Sequence, residues 1–272
     1  MVNKISKVNL LIYFVFVFIC VILTIPFIYF LRLSTCFSIT ATVVDWFAPL
    51  TLNNYVTLLT NTPFPRWMLN SFIVSITVTV LNVFISALAG YYLAYEYKGS
   101  KLIMTLTLLT MALPKFFMYV PIYILFSYTN ILNTYFSLIL PLLANPFSVF
   151  LMRQFFLTIP KEYRESAILD GCNHWDIVNK IYVPLAKPAM IMVAVTEFSS
   201  SWMEFQLPLL MITSVDMKTV TLGVADYAYG FMEYVNWGIL AAGSIFSIIP
   251  IVVIFLLFNE AFIRGVSLGI KA

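Results

Sequence analysis

The chain has 272 residues, of which 62% are hydrophobic and 10% charged, with a mean hydropathy of +0.96 and a formal charge of +3. A soluble domain carries roughly a quarter charged residues, so this composition excludes an ordinary soluble enzyme or binding module. So small a positive excess also gives no electrostatic footprint for nucleic acid.

The apolar residues fall into runs long enough to cross a ~30 Å hydrocarbon core, which takes about 20 residues of helix. Six transmembrane helices are predicted, over approximately 9–31, 68–95, 102–127, 134–157, 185–212 and 238–261. The chain is therefore read as an all-α integral membrane protein with one domain over 1–272. Lys4 and Lys7 precede the first run, as in a signal peptide. That run exceeds the usual ~7–15-residue signal core and no small-x-small cleavage site follows it, so it reads as an uncleaved span. The connection 32–67, with Trp46, Pro49, Pro63, Pro65 and Trp67, is expected to lie on the membrane face. Pro114, Pro121, Pro141 and Pro146 predict broken or kinked helices. The connection 213–237 is polar, with Asp216, Asp226 and Glu233.

Basic residues set the orientation. One side would hold Lys4, Lys7, Lys98, Lys101, Arg153, Lys161, Arg164, Lys180, Lys187, Arg264 and Lys271, the other only Arg32, Arg66 and Lys218. This places both termini and the connection between spans four and five in the cytoplasm. Cys20, Cys36 and Cys172 are scattered and odd in number, and the single histidine, His174, makes no ligand set with Cys172, so neither a disulfide framework nor a metal site is expected.

The connection between spans four and five, about 158–188, is a charged island in an apolar chain. Pro160 suits the first turn of a helix, and Glu162 and Glu165 near its start suit the helix dipole. Gly171 fits a helix C-terminus needing positive φ. Asn173 with Asp176 three residues on resembles a capping box for a second helix, which puts Trp175, Val178 and Ile181 or Tyr182 on one face. Pro184 and Pro188 are expected to end it. From these residues alone, an amphipathic loop lying flat on the membrane remains open.

Glu165-Ser166-Ala167, three residues, Gly171, nine residues, then Ile181-x-Val183-Pro184 resembles the EAA motif of permease subunits in binding-protein-dependent ABC importers. Ser166 stands for an alanine and Val183 for a leucine, with the spacing kept. The likeness is strongest to the carbohydrate-uptake branch, the maltose and glycerol-3-phosphate type. It extends to Asn70-Ser71 opening span two, to Met152 through Pro160, to Asp170-Gly171 and to the closing GVSLGIK from Gly265 to Lys271. Trp202-Met203-Glu204-Phe205 is similar to the family's W-N-E-F, with Met203 replacing Asn, and Lys115 after Pro114 stands where the family usually has an uncharged residue.

The resemblance implies a six-helix permease core whose island forms two coupling helices seated on a cytoplasmic ATPase dimer. Glu165, Ser166, Ala167, Asp170, Gly171, Trp175, Ile181 and Pro184 would then be the ATPase-coupling residues. It further implies a second permease subunit, in this branch commonly a different chain, an extracytoplasmic substrate-binding protein, and the bacterial cell membrane with its lipid as location. No cofactor is expected: there is no G-x-x-x-x-G-K-[ST] phosphate loop, so hydrolysis falls to the partner and the chain itself is non-catalytic. The cargo would be a sugar, oligosaccharide or related polyol, with glycerol-3-phosphate as the alternative.

Within span five, Glu197, Ser200, Ser201 and Glu204 recur at i, i+3, i+4 and i+7, one face of a helix. They are candidates to line a translocation path, or equally to bind helices together. A proton-coupled secondary transporter using Glu197 and Glu204 as a relay is the rival function, although six spans without a visible repeat speak against it. An intramembrane enzyme lacks a nucleophile–base or zinc constellation.

Overall fold

The computed structural model describes residues 7–36, 46–47, 49–95, 97–230 and 236–269. Lys4, Glu233 and Lys271 lie outside the described residues, as do the side chains of Lys7, Arg264 and the closing stretch from Gly265. In chain order the helices are α1 (Lys7–Ser34), α2 (Asn53–Asn61), α3 (Phe64–Ala94), α4 (Ser100–Met111), α5 (Lys115–Tyr128), α6 (Tyr135–Ile139) and α7 (Pro146–Leu157). They continue as α8 (Lys161–Leu169), α9 (His174–Ile177), α10 (Val183–Leu185), α11 (Lys187–Trp202), α12 (Gln206–Met211), α13 (Val220–Gly230) and α14 (Trp237–Gly269).

Among the described residues, three stretches are long and apolar enough to cross a membrane as single helices: Ile12–Ser34, Phe64–Ala94 and Trp237–Asn259. The other three expected spans are not single rods. In the third, α4 and α5 meet at 100°, and at 1.5 Å per residue each is only ~18–21 Å long, shorter than the hydrocarbon core. The break falls at Pro114, which is extended (φ −63°, ψ 125°). Its ring also disfavours helical geometry at the preceding residue. In the fourth, the 3₁₀ turn Leu140–Leu142 separates α6 from α7 and the two halves bend by 42°. There Pro141 and Pro146 remove two amide donors, and Ala144 takes a left-handed φ of 56°. The fifth, expected over 185–212, ends α11 at Trp202 and resumes only at Gln206. Proline alone is not decisive, since Pro26, Pro121 and Pro250 lie inside α1, α5 and α14.

The chain divides into two compact units, Met1–Pro65 with Val224–Ile249, and Arg66–Gly223 with Pro250–Ala272. In the first, the connection expected to be a loop carries α2. Asn54 on α2 is buried and its Nδ2 donates to the Ser34 and Cys36 carbonyls at 2.9 and 2.8 Å. Such carbonyls at a helix end have no partner within the helix. Tyr55 and Phe64 pack their rings on Phe246 at 5.3 and 5.9 Å.

The second unit contains the candidate sites. Where α3 begins, Trp67 Nε1 donates to the Val215 carbonyl (2.8 Å) and Asn70 Nδ2 to those of Asp216 and Lys218 (2.7 and 2.8 Å). Ser71 Oγ accepts the Val220 N–H (2.8 Å), so the Asn70-Ser71 pair splints the connection ahead of α13. Further along, α3 and α7 come into backbone contact. A Cβ added at Gly90 would stand 2.8 Å from Met152 Cβ and 2.9 Å from the Arg153 nitrogen, so only glycine lets the two helices approach so closely. Where α3 ends, Tyr91, Phe156, Ile177, Val178 and Tyr182 form one buried cluster.

Candidate coupling loop and cavity

The charged island folds as two short helical segments joined by a tight turn. Pro160 sits just before α8 and Glu162 lies in its first turn. At the far end Asp170 is the cap residue and Gly171 has φ 81°. The Cys172 N–H reaches back to the Ala167 carbonyl (2.9 Å) and the Gly171 N–H to that of Ile168 (3.0 Å). That pair of bonds is a Schellman turn, which satisfies two otherwise orphaned carbonyls. Asn173 then caps α9, its Oδ1 accepting the Asp176 N–H at 2.9 Å. Asp176 also pairs with Lys180 at 2.7 Å, and this ammonium holds its carboxyl below the usual carboxylate range.

Pro184 does not end the second segment, contrary to expectation. From Val178 the helix widens into a π turn to Tyr182, closed by the Val183 N–H on the Val178 carbonyl, and continues through Pro184 to Leu185. A wider turn accommodates the missing proline donor, because the i→i+4 bond it would break is already absent. The segment turns by 79° into α11 only after Leu185. The face expected to carry Trp175, Val178 and Ile181 or Tyr182 is only partly turned inward. Ile177, Val178 and Tyr182 are buried and Ile181 is half-buried, whereas Trp175 is 58% exposed. On α8, Ala167 alone is buried. Glu165, Ser166, Asp170 and Gly171 are exposed, and so are the large apolar side chains of Tyr163, Ile168 and Leu169.

A cavity of about 1060 Å³ lies among α3, α4, α5, α7 and α11. Its wall is mainly apolar, with Lys115, Asn145, Thr196, Glu197, Ser200 and Ser201 among its polar points. Size and lining match a site for a small organic ligand, which typically takes roughly 300–1,000 Å³. Of the four span-five candidates, three reach this wall. Glu197 is 3% exposed; its carboxylate accepts from the Ser148 hydroxyl and from Asn82 Nδ2 (3.2 Å). Ser201 turns its hydroxyl back to the Glu197 carbonyl (2.7 Å), and Ser200 is half-buried.

Glu204 is not part of the cavity wall, because α11 ends at Trp202 and the helical face does not continue to it. Its carboxylate instead accepts the Gln206 and Leu207 amides (3.1 Å each) at the start of α12, and the Tyr119 hydroxyl (3.1 Å). His174 shares a hydrogen bond with the Tyr97 hydroxyl at 3.1 Å. Among the described residues no group of three or more His, Cys, Asp and Glu is placed to hold a metal ion.

Sequence reasoning missed Asn82 altogether. Besides holding Glu197, its Nδ2 donates to the Leu142 carbonyl (2.9 Å) and its Oδ1 accepts the Asn145 N–H (3.0 Å). One buried amide thus ties α3 to both sides of the break between α6 and α7 and to α11. The only signal in the sequence was an asparagine inside an apolar run, which is costly to bury without partners.

Residues 82–268 match the family described as the binding-protein-dependent transport system inner membrane component. An arabinooligosaccharides transport system permease protein of Halalkalibacterium halodurans is 35% identical over 222 residues, 81% of this chain and 79% of that protein. An sn-glycerol-3-phosphate transport system permease protein of Yersinia pestis is 32% identical over 210 residues, 75% of this chain and 73% of that protein. In fold, the chain is similar to one from the crystal structure of a bacterial ABC transporter involved in the import of the acidic polysaccharide alginate. The TM-score is 0.84 with 18% identity, over 96% of this chain and 99% of that one.

Proposed function

Because this chain belongs to the inner membrane components of binding-protein-dependent transport systems, we propose that it is the permease subunit of an ATP-driven importer for a sugar, oligosaccharide or related polyol in a bacterial cell membrane. The island over 158–188 is its coupling loop, exposed to the cytoplasm with both termini on the same side. Its partners are a cytoplasmic ATPase dimer, a second and different permease subunit completing the pathway, and an external substrate-binding protein.

One observation carries this reading. The loop is fastened inward by Ala167, Ile177, Val178 and Tyr182 while it exposes Tyr163, Ile168, Leu169 and Trp175 beside Glu165 and Asp170. Exposed apolar side chains clustered between charges suit a protein partner. Two short helices fixed by a Schellman turn also resist bending, as force transmission requires. The test is uptake in proteoliposomes containing the assembled complex. Transport will require ATP and the binding protein. Transport driven by a proton gradient with neither present would overturn the proposal.

A second reading, an anionic cargo such as glycerol-3-phosphate, is favoured by Lys115. This cation lines the cavity and, among the described residues, makes no hydrogen bond or close salt bridge, the opposite charge it faces being the more distant Glu197 carboxylate on the same wall. If an anionic group on the cargo is its partner, Lys115→Gln will lower uptake of glycerol-3-phosphate by about tenfold, the equivalent of ~1.4 kcal/mol. Neutral sugar uptake will stay unchanged. Equal effects on both cargoes would leave the neutral sugar as the substrate.

A further inference from the structure

We propose that a chain of contacts running Tyr182–Tyr95–Arg164–Tyr97–His174 makes α3 follow the coupling loop, and so carries the loop's displacement to the cavity wall. The proposal rests on the coupling reading above and deepens it. The loop is joined covalently to α7 before it and to α11 after it; α3 is remote in sequence and is reached only through noncovalent contacts. Its packing on α7 at Gly90 is one of these, and the tyrosine cluster at its end is the one that touches the loop directly.

Three helical pieces of the loop, α8, α9 and the π turn, converge on two tyrosines just beyond the end of α3. From α8, the Arg164 guanidinium lies over the Tyr95 ring at 4.7 Å, and its Nη2 donates to the Tyr97 hydroxyl at 3.3 Å. From α9, the His174 ring meets that hydroxyl through Nδ1 at 3.1 Å and stands edge-on to the Tyr97 ring at 5.6 Å. From the π turn, the fully buried Tyr182 receives the Tyr95 hydroxyl's hydrogen bond, with the two rings 5.5 Å apart and nearly perpendicular. Tyr91 and Phe156 close the cluster at 5.2 and 5.5 Å from the Tyr182 ring.

Two features make this cluster a link rather than ordinary packing. Ala167 is the only residue of α8 that is buried, so Arg164 is the long side chain fastening that helix to the end of α3. Rigid aromatic rings with two torsions each, stacked under a planar guanidinium, also transmit displacement with little slack. Asn82, which holds Glu197 and the broken fourth span, lies on α3 twelve residues before its last residue, Ala94, about 18 Å along its axis. A shift of α8 would thus reach the cavity wall along α3 as a rigid rod.

The test uses the full complex with its ATPase in proteoliposomes, with transport per ATP as the readout. Arg164→Ala is expected to leave the ATPase associated and hydrolysing within about twofold of wild type, while transport per ATP falls roughly five- to tenfold. Arg164→Lys keeps the charge without the planar stack and should recover part of the loss. Tyr97→Phe keeps the ring, removes the hydroxyl shared by Arg164 and His174, and should cut transport per ATP about two- to threefold. Distance measurements between probes at Leu81 and Lys161 add a readout that mere destabilisation does not move. In wild type the pair stays at fixed separation through the ATP cycle, and in the variants the separation changes. Unaltered transport per ATP in Arg164→Ala and Tyr97→Phe overturns the proposal, as does a fixed probe distance in both. Loss of the ATPase from Arg164→Ala would make Arg164 a docking residue instead. A wild-type complex that binds no ATPase would refute the coupling reading itself.

Discussion

Gly171→Val will leave ATP hydrolysis running in the complex while uptake nearly stops. The residue holds φ 81° with nothing within 4 Å of where a Cβ would lie, so the penalty is conformational and not a clash. A left-handed backbone costs an ordinary residue roughly 1–2 kcal/mol, most for a β-branched one. The chain can relieve it only by giving up the Schellman bonds to Ala167 and Ile168, which set the angle between α8 and the segment from α9 onward. Because α8 buries only Ala167, the turn and Arg164 do much to hold it in place. Gly171→Asn, which tolerates this conformation better, should retain most transport, with Gly171→Ala between the two. Measuring transport per ATP for the three variants checks the order. Normal coupled transport in Gly171→Val would remove the turn from the mechanism.

Glu197→Leu will destabilise the protein and abolish uptake together. It strips the Ser148 hydroxyl and one Asn82 hydrogen of their acceptor in a buried setting. Leaving a buried donor unmade costs about 1–3 kcal/mol, although within membranes inter-helix hydrogen bonds average nearer 0.6 kcal/mol. A net loss of ~1–3 kcal/mol is therefore expected, read as a lowered Tm in detergent. Glu197→Gln keeps the volume and one acceptor oxygen and should lose less. Asn82→Leu should reproduce the defect, since it frees the same carboxylate and also the Leu142 and Asn145 backbone. The two together should cost less than their sum. Additivity within about 0.5 kcal/mol would mean that the residues do not act as one unit.

The loop and the cavity were legible to different degrees, for physical reasons. Gly171 as a turn and Asn173 as a cap could be read directly, because a left-handed φ and an N-terminal cap depend on residues only two to six positions apart. Which side chains of the second segment turn inward was not legible, since a face drawn on a regular 3.6-residue helix does not say how the segment leans on its neighbours. The π turn over Val178–Tyr182 widens that period and leads the helix past Pro184. Likewise the stripe from Glu197 to Glu204 presumed that the helix would continue, whereas it ends at Trp202 and Glu204 serves α12. Pro114 and Pro121 look alike in sequence, yet only the first breaks its span.

What the sequence determined by itself follows from averages and local geometry. Long apolar runs dictate a membrane-spanning helical chain, the spacing from Glu165 to Pro184 marks the loop, and the residues from Asp170 to Asn173 dictate its turn. The tertiary structure alone decided which groups meet. Asn82 and Glu197 are 115 positions apart, and Arg164 comes to rest between two tyrosines nearly seventy positions before it. Such partners are selected by how helices pack and where they break, through the requirement that each buried polar group find a mate. That requirement says a partner must exist without saying where along the chain it lies.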